Sequence, residues 1–190
     1  NIYLKISSIL KSKNEINRLI LSLENFNTKD IQKLAIRIKP SNFKTYLLNN
    51  LNNGKIKKIS IDVSLNKDLN ITDYKINGSV KKIDIKISDD LLIQNVNLNF
   101  ISDKNLTLIN SINANYQNIS ISNGLLSLNK KKNIEIEGKF NSKFNLNKEI
   151  INKLFPKLDL SFLEKNRINT KGNLLHKFTL KIDENLKLID

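Results

Sequence analysis

The sequence predicts a mainly β chain: an antiparallel, strongly curved sheet with two short helical segments. Three observations carry that expectation. Apolar and polar residues alternate with a period of two in run after run, as half-buried strands require. Short polar turns separate the runs, which suits a meander of antiparallel neighbours and not strand–helix–strand units. Gly78 and Gly138 fall inside long strand-like runs, at 74–87 and 134–146, where an interior glycine marks a bend or a close backbone approach.

The elements follow in order. Ile2, Leu4 and Ile6 form the first alternating run, and Leu34, Ile36 and Ile38 the second. Pro40 then opens a stretch in which Phe43, Tyr46, Leu47 and Leu51 recur at helical spacing, closed by Gly54, so a short helix is expected over about 41–53. Ile59, Ile61, Val63 and Leu65 alternate with Ser60, Asp62 and Ser64. Ile83, Ile85 and Ile87 follow, then Val96, Leu98 and Phe100. Asp89-Asp90 and the stretch from Ser102 to Asn105 read as polar turns. Ile119 and Ile121 precede Asn123-Gly124, a dipeptide suited to a hairpin turn, with Leu126 and Leu128 beyond it. Ile134 and Ile136 come after the turn from Lys130 to Asn133. Ile150, Ile151, Leu154 and Phe155 make one helical face, interrupted at Pro156, and give a second helical segment over about 147–165. Phe178, Leu180 and Ile182 end the series.

Composition narrows the chemistry. The 190 residues carry a formal net charge of +14 with no Cys, which excludes disulfides, thiolate metal sites and thiol nucleophiles. The charge lies almost wholly on scattered lysines; Arg occurs only at 18, 37 and 167. Base-reading surfaces favour the bidentate fork of Arg, and no alternating aromatic pair offers a stacking platform, so nucleic acid is not the expected partner. Lys, Asn and Ile abundance instead fits A/T-rich codon usage. His176 is the one histidine, without an elbow motif near any serine. Glu135 and Glu137 share a polar strand face, Asp89-Asp90 lacks a calcium-loop pattern, and the glycines are too dispersed for a phosphate loop. The expectation is a protein that is not an enzyme, with no catalytic residue, metal or cofactor. No apolar run approaches the roughly 20 residues of a membrane helix. The chain lacks Met, begins at Asn1, and still reads as a strand start from Leu186 to Asp190, so residues 1–190 are expected to be one segment of something longer.

The segment IRIKPSNFKTYLLNNLNNGKIKKISIDVSL, residues 36–65, carries a strand, a proline-led helix with Tyr46 before Leu47, then Gly54 and a new strand. With YKINGSVKKIDIKISDDLLIQNVNLNF and NISISNGLLSLNKKKNIEIEGKFNSKF, it resembles the central region of AsmA-like proteins of the YhdP type, over roughly residues 31–182. That family often has Trp at or near the place of Tyr46. The resemblance implies an elongated open β-groove in the periplasm of a diderm bacterium. It also implies an inner-membrane anchor N-terminal to this segment of the parent protein and phospholipid acyl chains conducted toward the outer membrane, and it names no envelope protein partner. The candidate groove residues are the apolar strand positions Ile59, Ile61, Val63, Ile83, Ile85, Ile87, Val96, Leu98, Ile119, Ile121, Ile134 and Ile136. Alternation alone fits equally a closed β-sandwich of structural or adhesion type, in which a second sheet covers the same face.

Overall fold

The computed structural model describes residues 5–11, 15–30, 49–87, 91–130, 133–147, 151–152, 169–183 and 187–189. Its strands are β1 (Lys5–Lys11), β2 (Glu15–Asn27), β3 (Leu51–Asn52), β4 (Lys55–Leu65), β5 (Ile71–Lys86), β6 (Leu92–Asp103), β7 (Leu106–Tyr116), β8 (Ile119–Lys130), β9 (Ile134–Asn147) and β10 (Asn169–Ile182). All ten belong to one sheet in the order β1-β2-β4-β5-β6-β7-β8-β9-β10, with β3 pairing β5 past the end of β4. Every pairing is antiparallel, and β1 does not meet β10, so the sheet is an open meander. Leu188 bridges to Ile182, which begins a further pairing on the outer edge of β10.

Cross-strand register assigns the faces, because directly opposed residues point to the same side. One row runs across eight strands through Leu23, Ile59, Gly78, Phe100, Ile109, Leu126, Gly138 and Phe178. The next runs through Leu21, Ile61, Ile76, Ser102, Thr107, Leu128, Ile136 and Leu180. The other face carries Ser60, Asn77, Ile101, Leu108, Ser127, Glu137 and Thr179 between these rows, with Asp62, Asn99, Lys139 and Lys177 flanking them. Between β6 and β7 it presents three facing amide pairs, Gln94–Asn115, Asn97–Asn113 and Asn99–Asn110.

No second sheet covers the apolar face among the described residues, so the sandwich alternative finds no partner layer there. Among them only Phe26, Ile56, Ile83, Val96 and Ala114 are buried apolar side chains. The whole chain exposes 14025 Å², where a compact chain of 21.9 kDa would expose about 9300 Å².

Each central strand carries an extra residue, and these lie next to one another. Register slips by one at Lys57 in β4, between Val80 and Ile83 in β5, between Ile93 and Val96 in β6, between Ile109 and Ile112 in β7, and between Ile121 and Gly124 in β8. Lys82, Asn95, Ser111 and Asn123 within those intervals have φ of 53°, 54°, 54° and 53°, and Asn25 of β2, opposite Lys57, has φ 60°. Such bulges bend a strand and sharpen its twist. Aligned over six strands, they crease the sheet. The five buried apolar side chains flank this line, and Phe26, Ile56 and Ile83 pack together there, so the crease closes toward the apolar face.

Polar side chains pin the crease. Asn97 donates from Nδ2 to the carbonyl of Asn95 (2.8 Å) and accepts from the N–H of Lys82 (3.2 Å). Asp84 accepts from the N–H of Asn95 (3.0 Å) and from Asn53 Nδ2 (3.2 Å), and Asn113 Nδ2 donates to the carbonyl of Ser111 (3.0 Å). The left-handed residues interrupt the ladder, and these bonds re-satisfy the backbone groups it leaves.

Several expectations are corrected. Asn123-Gly124 does not turn a hairpin: β8 runs unbroken from Ile119 to Lys130, and Asn123 spends its tolerance of positive φ on a bulge. The helix expected over 41–53 ends by Asn50, because Leu51 and Asn52 pair with Ile85 and Asp84. Asn147, the expected start of the second helix, is the last residue of β9, and the helical residues described near it are 151–152. The rest of both helical segments, the Leu34–Ile38 strand, and Pro40 and Tyr46 lie outside the described residues.

Candidate functional site

Eleven of the twelve candidate groove residues share the apolar face. Ile59, Ile61 and Val63 oppose Leu23, Leu21 and Leu19 of β2; Ile83 opposes Val96; Leu98 opposes Val80; and Ile121 opposes Ala114. Ile119 and Ile134 stand against Phe144 and Ile182, Ile85 against Ile93, and Ile136 against Leu128 and Leu180. The exception is Ile87, which lies one residue past β5 and is 44% exposed at a bend closed by its N–H bond to the carbonyl of Leu91. Ile83 and Val96 are buried at the crease, and the other nine are half-buried.

Sequence reading missed much of the face. β2 contributes Leu19, Leu21 and Leu23, and β7 contributes Ile109 and Ile112. Phenylalanines fill the places where the face carries glycine. Phe100 lies over Gly78, Phe178 over Gly138 and Phe144 over Gly172, each directly opposite its glycine in the neighbouring strand. The missing Cβ gives each ring room to lie down on the sheet, which keeps the apolar surface low and continuous.

Two polar groups interrupt that surface. Near the crease, Ser142 is buried and its Oγ lies 2.8 Å from His176 Nε2, while the imidazole stacks on Phe140 at 4.5 Å. A serine–histidine pair invites comparison with a hydrolase. Among the described residues no carboxylate is bonded to this ring to orient it, and the backbone N–H groups around Ser142 belong to paired strands, leaving no preformed oxyanion site. The pair satisfies two polar groups on a greasy surface. At the opposite end of the strands, where β6 turns into β7, Lys130 Nζ donates to Ser102 Oγ and to the carbonyl of Asp103, both at 2.8 Å, and Ser102 Oγ lies 2.7 Å from Thr107 Oγ1. Burial pushes the Lys130 ammonium below the ordinary lysine range, with the charge of Asp103 opposing. The Asp103 carboxyl is held below the usual carboxylate range, chiefly by the N–H groups of Asn105 and Leu106.

The polar face holds most of the charge. Arg18 forks onto Asp62 through Nε–Oδ1 (2.8 Å) and Nη2–Oδ2 (2.5 Å), and this bonding lowers the Asp62 pKa against a smaller opposing effect of burial. Lys55, Lys57, Lys81 and Lys82 surround a shallow depression beside Asn25 and Asn27. Among the described residues no three His, Cys, Asp or Glu side chains gather as a metal site, and no helix is long and apolar enough to cross a membrane. No protein-family model, curated protein or solved structure matches the chain.

Proposed function

We propose that this chain binds phospholipid acyl chains along its creased apolar face and, as a segment of an envelope protein, conducts them between inner and outer membranes. The observation that carries the reading is the uncovered face itself. It extends over β2 and β4–β10, is built chiefly from Ile, Leu, Val and Phe, and no second layer packs on it among the described residues. An apolar surface of this extent calls for an apolar cover. Each methylene transferred from water onto it is worth about 0.8 kcal/mol when fully buried. Charge complementarity favours a lipid as that cover: the chain carries +14, and a lysine stands at one end of the face. The likeness of residues 31–182 to the AsmA-like pattern supports the same reading and supplies the envelope setting.

The test is native mass spectrometry of the purified 190-residue chain, followed by lipid extraction, beside the variant Ile61→Asp. Ile61 is half-buried between Leu21 and Ile76 and outside the Phe26 cluster, so the variant keeps the sheet. Phospholipid on the parent and none on a variant with the same circular dichroism supports acyl binding. A lipid-free, monodisperse parent overturns it.

A further inference from the structure

We propose that Lys130 and Thr107 form a phosphate subsite at the end of the apolar face, so that the amphiphile bound there is anion-headed and enters in one orientation. The inference rests on the acyl-binding reading and adds polarity to it. Lys130 is the last residue of β8; it opposes Ile134 and sits two residues beyond Leu128, which places it on the apolar face. The other lysines of β4, β5, β9 and β10 belong to the polar face: Lys58, Lys75, Lys86, Lys139, Lys143, Lys171, Lys177 and Lys181 by alternation, and the four around the Asn25 depression by their shared lining.

The ammonium is held by neutral acceptors. Two of its three N–H groups go to Ser102 Oγ and the Asp103 carbonyl, which aims the third. Ion pairs among the described residues are Arg18–Asp62 and Lys58–Glu24, and Lys130 is in neither. The nearby Asp103 carboxylate is engaged by two backbone N–H groups. Ser102 Oγ accepts from Lys130 and shares a hydrogen bond with Thr107 Oγ1 in which either hydroxyl can donate; with Ser102 as the donor, the Thr107 proton is available to a further acceptor. A partly desolvated cation beside a hydroxyl, at the rim of an apolar surface, matches the phosphate of an amphiphile whose chains continue over Thr107 and Leu128 toward the crease.

Isothermal titration of the 190-residue chain with dioleoyl phosphatidate, dioleoylglycerol and inorganic phosphate tests this, using the parent, Lys130→Gln and Thr107→Val. The expected result is tighter binding of phosphatidate than of dioleoylglycerol by the parent. That preference falls about tenfold in Lys130→Gln and less in Thr107→Val, with dioleoylglycerol affinity unchanged. Equal phosphatidate affinity in parent and variants overturns the subsite and leaves acyl binding standing. Inorganic phosphate binding as tightly as phosphatidate makes this a free-anion site and overturns the lipid assignment of the subsite. No binding of either lipid by the parent overturns the acyl reading and the subsite with it.

Discussion

The ring of Phe178 occupies the space a Cβ would take on Gly138, its directly opposed partner across the β9–β10 pair. Leu126 Cδ2, from the other side, lies 2.9 Å from the same point. Both side chains would have to shift to admit a methyl group there. Gly138→Ala is therefore expected to destabilise the sheet by about 1–3 kcal/mol, as overpacking does. Phe178→Leu alone costs less, and in the Gly138→Ala background it recovers part of the loss. Urea unfolding of the four proteins in a double-mutant cycle gives the coupling.

The crease makes a prediction about its own residues. Asn95 stands at φ 54° with its carbonyl held by Asn97 and its N–H by Asp84. Asn95→Gly is expected to be nearly neutral, whereas Asn95→Val, with a branched Cβ in left-handed backbone, costs about 1–2 kcal/mol. Thermal unfolding of the two variants separates a required conformation from an incidental one.

Acid should weaken the sheet through two carboxyls. Asp62 and Asp103 both have pKa values lowered on folding, the first chiefly by Arg18 and the second by turn N–H groups. The stability each contributes is present above the unfolded carboxylate value and is lost as pH falls through the folded one. Arg18→Ala is expected to flatten that acid limb, as is Asp103→Ala, and added salt should flatten the Arg18 part more, because Asp103 is lowered chiefly by backbone N–H groups. The Arg18–Asp62 fork is exposed, so its effect is small. Denaturant midpoints measured across the acid range check the sign.

Lys130 is expected to deprotonate below the ordinary lysine range, because burial lowers its pKa. Its folded value lies below the unfolded one, so the charged form costs stability that returns as pH rises from the folded toward the unfolded value. Bound phosphatidate moves the pKa back up, since an opposite charge favours the ammonium. NMR of the lysine side-chain carbons through the alkaline range, with and without the lipid, reads both effects.

The sequence conveyed faces better than strands. Ile59 to Leu65 and Phe178 to Ile182 alternate cleanly, and the structure puts each set on one side. β2 escaped because Leu19, Ile20 and Leu21 run together, with no period to detect. β7 escaped because Ser111 shifts its phase halfway, so Leu108 and Ile109 look out of step with Ile112 and Ala114. The Asn123-Gly124 error has the same root, since a left-handed asparagine serves a bulge or a turn and only the neighbouring strand decides which. Lys130 was legible only as part of a basic turn. Its place on the apolar face depends on where β8 ends relative to β6, which no local pattern encodes.

The aligned extra residues govern which changes in length the chain tolerates. A deletion at Lys82, Asn95, Ser111 or Asn123 would straighten one strand while its neighbours stayed bent, and every apolar side chain beyond that point would turn to the wrong side. Changes in length are thus expected to be tolerated at the hairpin ends and not along the crease, where only substitution keeps every strand in phase. Along that line Lys82, Asn95, Ser111 and Asn123 hold equivalent places, so the count of residues matters there more than their identity.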